Sequence, residues 1–496
     1  MTHFYKDKLF FTYICGSCNP SNPHIMKHYT HAWLAMMAMK RIEYAQIPVK
    51  QQDDAKALIS WFKNYRDLVL QGSWYPDAVF KDMSSSHIAK CYPLAAYEAN
   101  NGAGIDSDLA KDAGKNVQKK NPKIRIESDF RRMPASLRMY AFAKTSPLYG
   151  QPYIRFQRHN LCDRCESFTE SLIDSFKVLT MENRGAPVVP TNNHIAMRFF
   201  ILSHYIADAH MPLHCDARSF HGNNEVHAFI EEEWDNQVQA AYSIDKENDR
   251  FFYDKDGYPL FREDAEPSPV IKYVEKELRD REFTWPWGSD NNNTWDYMSG
   301  ITQYSYLMAY DLVPADREPK QITKKYFVKT AAYQEHFEEY SKIILADAVE
   351  SIAKVWLHAW CRYRSWFRDH ELSCSKEKLK AAEADFKGAG KIMETYPALI
   401  EAKSVSVKKA EETLQAKQTD LDEALANNRS TKAKTDARDR ASDKLRKLQR
   451  EQEDLQNAFD KAVSYIEIYQ ACYVAAQIEV ASKEEEIKQY GKTNSV

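Results

Sequence analysis

Between His204 and Asp235 the chain reads HYIADAHMPLHCDARSFHGNNEVHAFIEEEWD, and no other stretch is so dense in groups that bind metals. His204 and Asp208 stand four apart inside FFILSHYIADAH, an apolar run whose expected cap is Thr191 or Asn192. That spacing places both side chains on one helix face, one turn apart. Pro212 is expected to stop the helix, since proline lacks a donor and clashes with the preceding turn, so His214 follows on a turn. His227 and Glu231 repeat the four-residue spacing in VHAFIEEEW, on a second helix whose ligand face can oppose the first. Imidazole together with carboxylate suits zinc, and a site with three protein ligands leaves a position for water. Without a cation, so many carboxylates and imidazoles in a small volume would repel one another or stay undersolvated. The competing reading, surface histidines on an amphipathic helix, has to treat two ordered pairs as coincidence.

A chain of 496 residues with 44% hydrophobic and 12% aromatic content can bury a sizeable core and is expected to hold more than one domain. Its 68 basic and 71 acidic residues give a formal charge of −3, so bulk charge offers no argument for a nucleic-acid partner. No run approaches the roughly 18 apolar residues that cross a bilayer. The start, MTHFYKDKLFFTYICGSC, has a short apolar patch interrupted by Thr12 and Tyr13 and lacks a small-residue cleavage site. It reads as a first strand or helix and not as an export signal. Nine cysteines at mostly irregular spacing do not form a disulfide framework, and a reducing cytoplasm is the expected location. Two CxxC pairs, Cys15 with Cys18 and Cys162 with Cys165, can each form a knuckle, and two knuckles meeting in space would close a structural four-thiolate zinc site. A redox pair or plain buried thiols are the alternatives.

HIMKHYTHAWLAMMAMKRIEYA is apolar around most of a helix and belongs in a core, with His24, His28 and His31 near its start available for capping, packing or ligation. WFKNYRDLVLQGSWYPDAVFKDMSSSHIAKCYP reads as a short helix, then a loop opened by Gly72 and Pro76, then a serine run into His87. A loop can fold back so that Asp77 and His87 reach one ion. An aspartate after a proline also serves as a turn residue or cap. Residues 100 to 123 look like an exposed insertion. Helical patches follow in RRMPASLRMYAFAK and ESFTESLIDSFKVLT. The aromatic-rich stretches YDKDGYPLFRED and WPWGSDNNNTWDYM read as loops that either wall a cleft or enter the core. YSKIILADAVESIAKVWLHAWCRYRSWF closes the globular part, with His358 packed in it.

Composition changes near residue 372, which divides the chain into expected domains at 1–371 and 372–496. Ala, Glu, Lys, Leu, Gln and Asp dominate the second, and Leu414, Leu421, Leu425 and Leu445, Leu448, Leu455 mark near-heptad seams. A break at ANNRST turns one long helix back on another. The expected structure is a helical hairpin or coiled coil, as against a solvated tail, with a role in interaction or self-association.

The order His204, Asp208, His214, then thirteen positions to His227 and four to Glu231, resembles the zinc-dependent phospholipase C family. HYIADAHMPLH and HAFIEEEW carry the likeness. The related single-strand nucleases share the first half but place an aspartate in the second pair and have Gly-Gly-Asn and Asn-Leu-His signatures. This chain has Glu231 and only a partial echo in HGNN, which favours the phospholipase branch. GSWYPDAVFKDMSSSH is similar to the family's earlier aspartate and histidine loop, and THAWLAMMAMK to its first helix, so the likeness spans residues 1 to 370.

The resemblance implies an all-α, phospholipase C or single-strand nuclease-like helical domain holding two or three zinc ions, with the hairpin outside it. Asp77, His87, His204 and Asp208 would hold one ion and His214, His227 and Glu231 a second, while Asp208 would bridge to a third held by His31. The family completes that third site with a processed amino-terminal tryptophan. Here about thirty residues precede His31, none of them tryptophan, so His28 or His24 takes that place or the third ion is absent. Asp77 would orient or deprotonate the attacking water. The implied activity is cleavage of phospholipid to diacylglycerol and a phosphorylated headgroup, with peripheral membrane contact and no transmembrane segment. The rival readings are a single-strand nuclease or nucleotidase on the same cluster, and a metal-braced scaffold that recruits partners. The family's choline-binding positions find no match, which leaves the headgroup open.

Overall fold

A computed structural model describes residues 28–80, 86–89, 161–181, 190–215, 225–287, 294–312, 323–330 and 332–492. Cys15, Cys18, His24, His221 and the expected insertion at 100–123 lie outside them. The described chain is all-α apart from one two-residue strand pair, and it divides into two compact units, Met1–Arg364 and Ser365–Val496.

In the first unit, α1 (His28–Tyr44) is buried on nearly every side, as its apolar composition requires. α2 (Val49–Lys63) and the short α3 (Val69–Tyr75) pack against it, and α3 runs on into a π-helical turn at Pro76–Phe80. The stretch around Gly72 and Pro76 is therefore helical and not the expected loop. Proline is tolerated there because it stands at the junction, where a helical donor is dispensable. α4 (Leu161–Thr180) and α5 (Asn192–His210) follow. The Thr191 hydroxyl accepts from the His194 N–H, so the predicted cap is in place. α5 ends at His210 because Met211 is extended and Pro212 opens a separate one-turn helix, α6 (Pro212–Cys215). His214 thus sits on the turn that follows the stop, here a single helical turn.

α7 (Glu225–Ala241) carries the second ligand pair. After it comes an antiparallel pair, β1 (Ile244–Asp245) with β2 (Arg250–Phe251), and then the aromatic stretch 253–264, which is a loop apart from isolated bridges. α8 (Pro269–Asp280), α9 (Thr294–Leu312) and α10 (Lys324–Val328) precede the 90-residue α11 (Phe337–Ala426). α5 packs against α1, α3, α4 and α9, so the helix bearing His204 and Asp208 lies within the core. His358 is buried as expected, its ring stacked on Trp287 at 4.1 Å.

A buried ionic network ties α1 to α8 and α11. Arg41 donates to Glu350 at 2.6 Å and to the carbonyls of Leu278 and Arg281, while Lys354 lies 2.9 Å from Glu350 and Arg281 2.7 Å from Asp347. Burial works against the Glu350 carboxylate, but Lys354, Arg41 and Arg281 outweigh it and hold the carboxyl down at about 2.

In the second unit, α11 turns at Asn427–Asn428 into α12 (Lys432–Lys492). Asn428 takes a positive φ of 46°, which asparagine tolerates better than most residues. Shielded positions recur at alternating three and four spacing on both helices, as in Val407, Ala410, Leu414, Lys417, Leu421 and Ala424. The pairing is antiparallel: Lys403 meets Glu451 at 2.8 Å, Ser375 meets Glu479 at 2.6 Å, and Phe386 stacks on Tyr473. One expected seam residue is displaced. Leu425 is 57% exposed, and Ala424 fills the seam position beside Leu421, which is 6% exposed.

Two outcomes follow for stability. The folded carboxyl of Glu350 titrates below its unfolded value of 4.5, so its contribution is fully present above about pH 4.5 and is lost as pH falls toward about 2. Glu350→Ala, which strands two buried cations, should cost roughly 3–5 kcal/mol at neutral pH in denaturant unfolding. Leu421→Ala should cost roughly 2–4 kcal/mol and Leu425→Ala under about 0.5 kcal/mol in thermal melts. The reverse order would mean that the helices pair in another register.

Candidate metal centre

Six chain segments bring ligands to one place. α1 supplies His31, the turn after α3 supplies Asp77, and α5 supplies His204 and Asp208. His214 comes from α6, and His227 with Glu231 from α7. His87 arrives on a turn pinned just after it: the Ala89 N–H donates to the His214 carbonyl at 3.2 Å and the Leu161 N–H to the Ile88 carbonyl at 3.0 Å. α1 is fastened to α7 through Asp235, which accepts from the Thr30 backbone at 3.0 Å one turn beyond Glu231.

The donor atoms converge. His204 Nε2 lies 3.2 Å from His87 Nδ1, 3.4 Å from Asp77 Oδ2 and 3.3 Å from Asp208 Oδ2. Bonds of about 2.0–2.2 Å in a tetrahedron place donors about 3.3 Å apart, so these separations suit a small divalent cation. A second group has His214 Nε2 at 2.7 Å from His227 Nε2, with Glu231 Oε1 at 3.1 Å from His227 Nε2 and 3.9 Å from His214 Nε2. Asp208 joins the two. Its Oδ2 faces His87 at 2.7 Å and His204, while its Oδ1 faces His214 Nδ1 at 3.6 Å and His31 Nε2 at 3.7 Å. His31 stacks on His204 with ring centroids 4.0 Å apart. Three groups could hold a metal ion: His31 with His204 and Asp208; Asp77 with His87 and His204; and His214 with His227 and Glu231.

The protonation pattern favours ligation at Nε2 of His204. Its Nδ1 is 2.6 Å from the Ser73 carbonyl, which can only accept, so Nδ1 carries the proton and Nε2 is the ligating atom in the neutral ring. The group is deeply buried. Burial pushes Asp77 up to about 6, and pushes His31 and His214 down to about 3. Burial also disfavours charge on His204, but the Asp77 and Asp208 carboxylates prevail and raise it to about 9. Asp208 is held well below the usual carboxylate range despite its burial, chiefly by His204 and His214. A cation entering the first group therefore displaces a proton from His204. Asp77 Oδ1 and His31 Nδ1 are buried with no hydrogen-bond partner, an arrangement a bound ion and its water would relieve.

All eight residues expected to ligate zinc at the active site lie in these groups. His28 does not; its ring packs near Tyr29 and Trp74. His210 is also turned elsewhere, to Ser351 at 2.9 Å. Cys162 and Cys165 occupy the first turn of α4 and not a knuckle, both fully buried, with Cys162 3.8 Å from the Thr302 hydroxyl. Burial pushes the Cys162 thiol up to about 12 and Cys165 well above its ordinary value, which keeps both protonated. The Ser73 carbonyl and Asp235 escaped sequence reading, the first because a backbone acceptor has no residue signature.

Beside His31, Asp208 and Glu231 lies a pocket of about 30 Å3 with apolar walls from Leu34, Trp234, Ile344, Leu345 and Ala348 and, among the described residues, no lysine or arginine in its lining. No family model, curated protein or solved structure matches the chain.

Because Asp208 faces His87 and His204 of one group and also Nδ1 of His214, whose Nε2 faces the other, while His227 belongs to that other group alone, the two should separate on substitution. Elemental analysis of desalted protein should show His227→Ala losing one ion per chain and Asp208→Asn losing more than one, with helicity by circular dichroism retained. Equal metal content in wild type and Asp208→Asn would remove the bridging role.

Proposed function

We propose that the chain is a zinc-dependent phosphodiester hydrolase of the phospholipase C type, cleaving phospholipid to diacylglycerol and a phosphorylated headgroup. The observation that carries this reading is the pair of ligand clusters joined through one carboxylate, Asp208, at 2.7 Å to His87 and 3.6 Å to His214. Hydrolysis of a phosphodiester needs a nucleophile available at neutral pH and neutralisation of charge on the phosphoryl group. Divalent cations held here would supply Lewis-acid chemistry of both kinds, lowering the pKa of water to about 7 and countering phosphoryl charge. Asp77, His87, His204 and Asp208 would hold one ion, His214, His227 and Glu231 a second, and His31 with Asp208 would contribute to a third. Asp77 divides its carboxylate: Oδ2 faces His204, and Oδ1 is left to orient water and accept its proton.

Apolar side chains wall the small cavity beside the centre, and its lining among the described residues includes no lysine or arginine, which supports an apolar substrate portion over a polyanionic strand. The likeness of HYIADAHMPLH and HAFIEEEW to the phospholipase C family, with Glu231 in place of an aspartate, supports the same branch and its helical fold. No helix among the described residues is long and apolar enough to cross a membrane, so contact with the bilayer would be peripheral. The C-terminal hairpin would serve assembly, a role supported by Ile468 at 53% and Ile478 at 65% exposure.

Zinc-loaded protein should release phosphorylated headgroup from phosphatidylcholine or phosphatidylethanolamine vesicles. His204→Ala and Asp77→Asn should each reduce turnover by about 10²-fold or more. Nucleotide release from single-stranded DNA with the vesicles untouched would select the nuclease reading. Bound zinc with no turnover on vesicles, DNA or a generic aryl phosphodiester would leave a metal-braced scaffold.

A further inference from the structure

α3 crosses α5 one helical turn before His204, and the residue at the crossing is Gly72. A Cβ placed there would stand 2.5 Å from the Cβ of Phe200 and 3.3 Å from the Met197 carbonyl oxygen. The first separation is closer than atoms of that size tolerate, so any side chain at residue 72 forces the helices apart. The next residue, Ser73, offers its backbone carbonyl to His204 Nδ1 at 2.6 Å, and four residues later Asp77 places Oδ2 3.4 Å from His204 Nε2. Phe200, which meets Gly72, is itself one turn before His204 on α5.

We propose that Gly72 and the Ser73 carbonyl form a positioning device for the cation site: the side-chain-free crossing brings the carbonyl to His204, which fixes the tautomer offering Nε2 to the ion and sets Asp77 at ligand distance. The inference rests on the metal-centre reading but not on any particular substrate. The Ser73 side chain has no part in it, since Ser73 Oγ is buried without a hydrogen-bond partner. Glycine is required at residue 72 for close approach, and at residue 73 only the backbone matters.

Zinc and cobalt affinities measured by chelator competition separate these roles. Gly72→Ala should weaken binding at the Asp77, His87, His204 and Asp208 group by about 10–100-fold and alter the visible spectrum of cobalt there, as expected on losing an outer hydrogen bond to a ligand. Ser73→Ala should stay within about twofold of wild type. Selective ¹⁵N labelling of histidine in zinc-loaded wild type should show the His204 proton on Nδ1, a readout that stands even if Gly72→Ala fails to fold. A His204 proton on Nε2, wild-type affinity in folded Gly72→Ala, or equal weakening in Ser73→Ala would each overturn the inference alone. Wild type that takes up neither zinc nor cobalt would overturn the metal-centre reading and this inference with it.

Discussion

The structure of the first unit turns on one buried carboxylate. Asp208 is 2% exposed and has imidazole nitrogens of His31, His87, His204 and His214 within 3.7 Å. An ionised carboxylate taken out of water is costly unless it is paired and hydrogen-bonded, so each of these rings helps to offset its desolvation. The rings come from α1, the segment at His87, α5 and α6, which means that satisfying one side chain on α5 fixes where three other segments must lie. Apolar packing brings the helices together, but it is indifferent to small slides along their axes. The carboxylate is not, because its two oxygens face different partners.

The first unit contains a second buried charge cluster, and the contrast explains why only one of them calls for a metal. Around Glu350, the cations Arg41, Lys354 and Arg281 are matched by Glu350, Asp347 and Glu277, so the network balances itself. Around Asp208, the carboxylates Asp77 and Glu231 add further negative charge, and among the described residues histidines face all three. Protons can fill that role in part, as the raised His204 shows, but burial forces His31 and His214 toward neutrality. Imidazoles kept neutral beside ionised carboxylates are a donor set for a cation.

How much of this was legible in the sequence depended on whether the chemistry was local. The pairs His204–Asp208 and His227–Glu231 obey helical spacing and could be read directly, as could the Thr191 cap and the stop at Pro212. Asp77 and His87 could be read as able to reach one ion together, but their link to α5 came through a family resemblance, since nothing in their own spacing says that a π-helical turn and a pinned segment will meet it. The Ser73 carbonyl was invisible, because every residue has one. In the hairpin the heptad could be read, yet Leu425 was assigned to the seam by its four-residue spacing from Leu421, whereas the seam steps three residues to Ala424. A leucine at a surface position and an alanine in the seam look reversed until the burial periodicity is followed along the whole helix. The partnership of Arg41 with Glu350, 309 residues apart, had no local signal at all.

The charge on the cluster also bears on the proposed substrate. With Asp77, Asp208 and Glu231 ionised and the imidazoles neutral, the protein contributes three negative charges to the centre. Two divalent ions would leave a small net positive charge, matched to the single negative charge of a phosphodiester. A phosphate monoester or a polyanionic strand would need further cationic groups at the rim, and the pocket lining beside His31, Asp208 and Glu231 supplies none. Under the proposed reading, a singly charged ester with an apolar substituent would suit the cluster, and Trp234, Ile344 and Leu345 would offer that substituent an apolar wall.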